Sequence, residues 1–347
     1  MLFARKTKGY FVDFNDNGIL LARTSSSELG PMEVEQILEV PSGDDAALTD
    51  ALKQLQPAKG NGGYLHATVA VYPPKRFVRH ASLDLKRIKD PGYLNEIVTT
   101  QCRVEIDKAT IAILNPRDGS DLDLSKSPAK DMLCCGMLND DVIALQDRML
   151  AAGIYPQRVE LGTVAALGAV VGMLSAERST APTLVVEIGA DVTHSFIVSG
   201  GGVDASRPIP QGFNSIIPMV QQELNLKDEE SARRLFFSNT FDFTGMGPVL
   251  LKKLLRELHS SIGFYEVQTG QSISQVVCML LPSKLSWLEA VIASQLGVGA
   301  HKSKLTPWFQ SLGLTFAAEH QSTEFDARWL GLFGLMAHHH APVSQEK

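Results

Sequence analysis

Two stretches of this chain, about half its length apart, repeat one pattern. Tyr10-Phe11-Val12-Asp13-Phe14 runs into Asn15-Asp16-Asn17-Gly18 and resumes as Ile19-Leu20-Leu21-Ala22. Leu184 to Ile188 likewise reaches Gly189-Ala190-Asp191, resumes from Val192 to Val198, and is closed by Gly200 to Gly202. Apolar runs separated by a few Asn, Asp and Gly residues predict β-hairpins, because those residues tolerate the backbone that a tight reversal needs. In each copy an acid, Asp13 or Glu187, ends the first strand. A hairpin recurring at the opening of each half of a 347-residue chain predicts a duplicated α/β architecture, two similar halves facing each other across a cleft. Taken alone, the turns leave two hairpins of unrelated sheets as the alternative.

The paired hairpins resemble those of the actin, hexokinase and Hsp70 superfamily. In that superfamily both turns grip the phosphates of ATP. Small residues let backbone N–H groups approach the anion, and a nearby acid orients the metal.

Composition narrows the class. With 44% apolar and 20% charged residues the chain is globular, and its length predicts two or three domains. A net charge of −6 and no basic stripe argue against a nucleic-acid surface. Cys102, Cys134, Cys135 and Cys278 show no CxxC spacing, which predicts a reduced, cytoplasmic protein. No apolar stretch reaches the ~20 residues needed to cross a bilayer. Met1 to Lys6 lacks a signal peptide's apolar segment, so the expectation is contact with a membrane through partners and not by direct insertion.

In chain order, strands are predicted at Glu33 to Val40 and Leu65 to Tyr72, with a helix from Ala46 to Leu55 between them. From Lys75 the texture changes. A strand at Arg76 to Leu85, a helix from Gly92, strands at Ala109 to Leu114 and Asp131 to Met137, and a helix from Asn139 to Gly153 form an α+β module. This module reads as an insert, 75–154, within a first half made of 1–74 and 155–180; the second half spans 181–337 and a polar tail 338–347. Within the second half, Pro248 to Val267 predicts one long amphipathic helix, Asp228 an N-cap, and Ser286-Trp287-Leu288-Glu289 a capping box.

With these pieces placed, the chain resembles the PilM family, actin-like proteins of type IV pilus assembly. The resemblance runs from Gly9 to about Ala337 and rests on the order of elements. VVEIGADVTHSFIV is followed by SRPIPQGFNSI, and MLAAGIYPQRVEL closes the insert. It implies an actin-like (ribonuclease H-like, duplicated) two-domain α/β fold with an α+β insert. It also implies a cytoplasmic place at the inner face of the inner membrane, and an N-terminal peptide of a PilN-like membrane protein held at the insert side. A pilus motor ATPase is the further partner implied. The related alternatives are an active actin-like ATPase or small-molecule kinase, with Asp13 as the metal- or water-orienting acid, and a GspL-like type II secretion component, which normally continues into a membrane span.

The nucleotide positions that the family implies depart from its pattern. Asn15 replaces the first turn's glycine, and Asp16 and Asn17 replace hydroxyls. In the second turn Gly189 and Thr193 fit, Glu187 replaces Asp, and Asp191 is an added acid. A carboxylate about 5 Å from a phosphate charge costs roughly 3 kcal/mol at an effective dielectric of about 20. Gln211 and Gly212 match the small motif after the next strand. The glycine pair that lies flat on the nucleoside falls at Leu280-Leu281, the following glycine at Trp287, and Arg233 to Phe236 stand where the nucleoside-facing Glu and Lys would be. The expectation is a degenerate site with no required cofactor, Mg-ATP being what an intact one would take. The partner groove is placed at Val69, Val71, Val78, Leu83 and Leu85, on the argument that an exposed edge can accept a strand. Cys134-Cys135 read as packing, and His338 to His340 as a solvated tail.

Overall fold

The computed structural model describes residues 8–340, apart from 16, 27–30, 57–62, 124–129, 239 and 303. The chain divides into two units, Met1–Glu177 with Lys304–Lys347, and Arg178–Ser303.

Unit 1 is built on a six-stranded sheet. β1 (Gly9–Asn15) and β2 (Gly18–Thr24) form the first hairpin, with Asp13 opposite Leu20, and β3 (Met32–Val40) pairs with β2. The side chain of Asp44 accepts the Ala47 N–H and starts α1 (Asp45–Leu55), whose Leu48, Leu52 and Leu55 fall on one buried face. β4 (Leu65–Val71) then lies parallel to β1. Here the chain leaves the sheet. β5 (Phe77–Ser82), α2 (Tyr93–Thr100), β6 (Ala109–Leu114) and β7 (Asp131–Leu138) build a three-stranded antiparallel sheet in the order β5-β7-β6, packed around Tyr93, Ile97, Met132 and Cys134. α3 (Asn139–Ala151) is followed by Gly153 at φ +83°, and β8 (Ile154–Leu161) re-enters the first sheet beside β4. α4 (Gly162–Ala176) completes this part of the chain. Between β4 and β8 the described elements thus run strand, helix, strand, strand, helix.

Unit 2 opens on a meander of β9 (Thr183–Ile188), β10 (Thr193–Ser199) and β11 (Gly202–Ile209). Helices α5 (Phe213–Glu223), α6 (Glu229–Phe236), α7 (Gly247–Leu250) and α8 (Lys252–Thr269) follow. The long helix expected from Pro248 is therefore two, with Leu251 between them. β12 (Gln275–Cys278) lies parallel to β9; α9 (Trp287–Leu296) stops at Gly297, φ +70°, and β13 (Gly299–Ala300) ends the sheet order β11-β10-β9-β12-β13. Ser286 does not cap α9 as expected: its own backbone is helical, and Glu289 instead accepts the Cys278 N–H at 2.8 Å.

The rest of the chain belongs to unit 1, which corrects the placing of residues 304–337 in the second half. α10 (Leu305–Leu312) leads to β14 (Leu314–Phe316), which adds to the open side of β3 and completes the order β14-β3-β2-β1-β4-β8. α11 (Leu330–His340) packs on α4. A methyl at Gly334 would strike the Ala165 carbonyl, so glycine there permits the close approach of the two helices. A methyl at Gly172 of α4 would likewise meet the indole of Trp308. The helix runs through His338 to His340, so the expected tail does not begin at 338, and 341–347 lie outside the described residues.

Candidate functional site

The first turn is closed by its own side chains. Asn15 Oδ1 accepts the N–H groups of Asn17 and Gly18 at 2.8 and 3.1 Å, an Asx-type turn. An anion cradle needs such N–H groups free, and here they are taken. Asp13 is fully buried, accepting from the Tyr72 hydroxyl at 3.0 Å on one oxygen and from Asn15 Nδ2 at 3.4 Å on the other. A side chain at Gly331 of α11 would overlap both Asp13 and the Tyr72 hydroxyl, and one at Gly162 would overlap the Tyr72 ring. The acid that would orient a metal is thus packed beneath a tyrosine and a helix. Asp16 lies outside the described residues.

The second turn is engaged by the helix that follows it. Gly189 donates to the Val192 carbonyl at 3.0 Å, while the N–H groups of Phe213 and Asn214, in the first turn of α5, donate to the Gly189 and Ala190 carbonyls at 2.9 and 2.8 Å. Gly212 is required by this approach, since a Cβ there would lie 2.5 Å from those two carbonyl oxygens. Thr193 donates to the Gln211 carbonyl at 2.7 Å, and Gln211 Nε2 to that of Pro210 at 2.7 Å. Asp191 accepts from Asn214 Nδ2, and Asn214 Oδ1 accepts from Arg233 Nη2, each at 2.8 Å. This chain sets a positive charge two steps from the acid. Glu187 is buried in β9, directly across from the buried His194 of β10.

The positions of unit 2 that the resemblance assigns to the nucleoside carry buried or packed side chains. Leu280 and Leu281 are buried, and Leu280 has φ +60°, the left-handed backbone that glycine adopts without strain. Leu280 thus has a glycine-type bend with a buried leucine side chain on it. Trp287 stacks on Phe243 at 5.8 Å and meets Phe236 of α6 edge-on at 6.0 Å, so aromatic core occupies the neighbourhood. Cys135 and Cys278 are buried and their thiols are pushed up by desolvation, as packing residues would be. Among the described residues no group of three or more His, Cys, Asp or Glu could hold a metal, and no helix is long and apolar enough to cross a membrane.

The edge expected at Val69 and Val71 is not an edge. β4 pairs with β1 on one side and β8 on the other, and both valines are fully buried. Val78 and Leu83 are buried, with Leu83 in the insert's core, and Leu85 alone of the five is exposed. An apolar cavity of about 200 Å³ lies instead where α3 meets β8, lined by Met137, by Val142, Leu145, Gln146 and Met149 of α3, and by Pro156 and Val159. β8 is the last strand of its sheet, so among the described residues its outer side is unpaired within that sheet. Its pairing with β4 skips Gln157, and this bulge brings Pro156 and Val159 to the same face, although they are three apart. One signal of this edge was present in the sequence. Proline inside a strand belongs at an edge, because it cannot donate to a ladder.

No family model and no curated protein matches the chain. Among solved structures it is similar to a chain of a PilM-PilN type IV pilus biogenesis complex, at 18% identity and TM-score 0.67, with 97% of this chain and 100% of that one covered. Weaker likenesses include the ethanolamine utilization protein EutJ from Carboxydothermus hydrogenoformans, at 12% identity and TM-score 0.44, covering 95% and 89%. Another is a Bacteroides thetaiotaomicron protein with an actin-like ATPase fold, at 8% identity and TM-score 0.41, covering 89% and 96%. The fold is the actin-like one, and the resemblance to PilM holds at the level of the whole fold.

Proposed function

We propose that this chain is a scaffold of a type IV pilus assembly platform, and that it holds the N-terminal peptide of a PilN-like membrane protein in the groove between α3 and β8. The observation that carries this reading is an apolar cavity beside an unpaired strand edge. An extended peptide can add its backbone to such an edge and place alternate side chains in the cavity. The fold shared with a chain of a PilM-PilN type IV pilus biogenesis complex supports the same reading. Tethering through such a peptide would hold the chain at the inner face of the inner membrane. The nucleotide site is read as degenerate, on the closed first turn, the sealed Asp13 and the filled space at Leu280 and Trp287.

Fluorescence titration of a labelled PilN-like N-terminal peptide tests the groove. Val159, 42% exposed, can be changed to Asp without disturbing the core. Val159→Asp is expected to weaken binding at least about tenfold, about 1.4 kcal/mol. Unchanged affinity in a folded variant would remove the groove from the reading. Val78→Asp, at a residue where the sequence places the groove, is unsuited to the test because Val78 is buried.

A further inference from the structure

Two thiols and a half-buried arginine meet in the core of the insert. Residues directly opposite each other in an antiparallel pair share a face of the sheet, and β5 sets Phe77, Arg79 and Ala81 against Gly136, Cys134 and Met132 of β7. Phe77, Ala81, Met132 and Cys134 pack in one core cluster with Tyr93 and Ile97 of α2 and with Cys102. Arg79 belongs to the same face and is half-buried there. Its Nη1 donates to the Val78 carbonyl at 3.3 Å. The ionisable groups that act on its guanidinium are the thiols of Cys102 and Cys134, with no carboxylate among the described residues. An arginine taken into a core is ordinarily matched by a carboxylate, because a buried charge needs a partner. Here it faces two sulfurs.

Cys102 arrives from the end of α2. Arg103 closes that helix at φ +56°, and the Cys102 and Val104 N–H groups donate to the Ile97 and Val98 carbonyls, each at 3.1 Å. Gln101 and Arg103 are exposed on either side, so the buried Cys102 lies under a single turn of chain. The Cys134 thiol donates a hydrogen bond to the Cys102 sulfur. That bond, and after it the charge of Arg79, hold the Cys102 thiol below its ordinary range, while the same bond and burial push Cys134 up. Cys135, the next residue of β7, is on the opposite face of the strand, and Cys278 belongs to unit 2.

We propose that Cys102 and Cys134 are a redox pair, oxidised by a hydroperoxide to a disulfide that ties the end of α2 to the central strand of the insert's sheet. The Cys102 thiolate attacks one oxygen of hydrogen peroxide, the O–O bond breaks and hydroxide leaves, giving a sulfenic acid. The Cys134 sulfur then attacks the Cys102 sulfur. The S–S bond forms, the S–O bond breaks, and the departing hydroxide takes the Cys134 proton as water. Two thiols are oxidised and one peroxide is reduced to two waters. Arg79 is a positioning residue, since it favours the attacking thiolate and touches no reacting oxygen. The inference does not rest on the peptide groove.

Thiol counting and peptide mapping of the folded full chain test it. All four cysteines are free, so the denatured reduced protein is expected to take up four maleimides, and the peroxide-treated protein two. Mapping should then show Cys102 joined to Cys134 within one chain. Cys135→Ser should still form this bond, whereas Cys102→Ser and Cys134→Ser should not. Arg79→Gln should slow the loss of thiols at neutral pH and move its rate profile to higher pH, which a purely packing role for Arg79 would not do. Retention of four thiols by the treated wild-type chain would overturn the proposal without recourse to any variant. So would a bond to Cys135, a bond between two copies, or Cys102 carried on to sulfinic acid with Cys134 still free. An unchanged rate profile in a folded Arg79→Gln would remove the arginine from it.

Discussion

At Leu280 two effects of opposite sign meet in one residue. Its φ of +60° costs roughly 1–2 kcal/mol for a side chain with a Cβ, and glycine would remove that strain. Its buried side chain contributes more, since truncating a packed leucine removes about 2–5 kcal/mol through lost burial and the cavity left behind. Leu280→Gly is therefore expected to destabilise by about 1–3 kcal/mol, seen as a lower urea midpoint with an unchanged slope. A midpoint that holds or rises would mean that the leucine fills nothing. The resemblance implies a glycine at this position, and only the backbone angle shows that the leucine there has a glycine-type bend. Asp13 is the converse case. Its type and place at the end of β1 were legible, while its burial under Tyr72 and Gly331 depends on residues far away in the chain.

Single elements were read most reliably where the signal was local. Asp228 caps α6 as its position predicts, accepting the Ser231 N–H at 2.7 Å. That backbone hydrogen bond, with a smaller contribution from Arg234, holds the Asp228 carboxyl below the ordinary carboxylate range. A depressed folded-state pKa gives stability that is present above the unfolded value and is lost as pH falls through the folded one. Asp228→Asn, which keeps an oxygen acceptor but cannot ionise, should therefore melt lower than wild type at neutral pH, and the gap should close in acid. A gap independent of pH would remove the charge from the argument. Elements misread were those whose end is set by a neighbour. Glu289 serves the end of β12 and not its own helix, and β12 itself stops at Cys278, after which the backbone bends at Leu280. The place of β8 at the sheet's edge likewise depends on what pairs beside it.

For the molecule as a whole, the two turns bear on nucleotide binding separately, and each is occupied by its own surroundings. Melting curves with millimolar Mg-ATP or Mg-ADP are expected to match those without. A ligand present at a hundred times its dissociation constant would stabilise by about 2.7 kcal/mol, so binding of useful strength would be plain. A clear upward shift would mean that the turns rearrange to admit phosphates, and the degenerate reading would fall.

The sequence by itself determined the hairpin pair and most helix limits, because alternation, capping and turn chemistry act over a few neighbouring residues. It also carried the order of elements on which the resemblance to an actin-like fold rests. Tertiary structure decided that residues 304–340 return to the first unit, where β14 finds the open side of β3 and α11 the small residues of α4. It decided as well which strand is an edge, which acid is sealed, and where an apolar cavity is left between α3 and β8. Pairing and burial are relations between segments distant in the chain, and no local pattern records which of several compatible partners a strand or helix will meet.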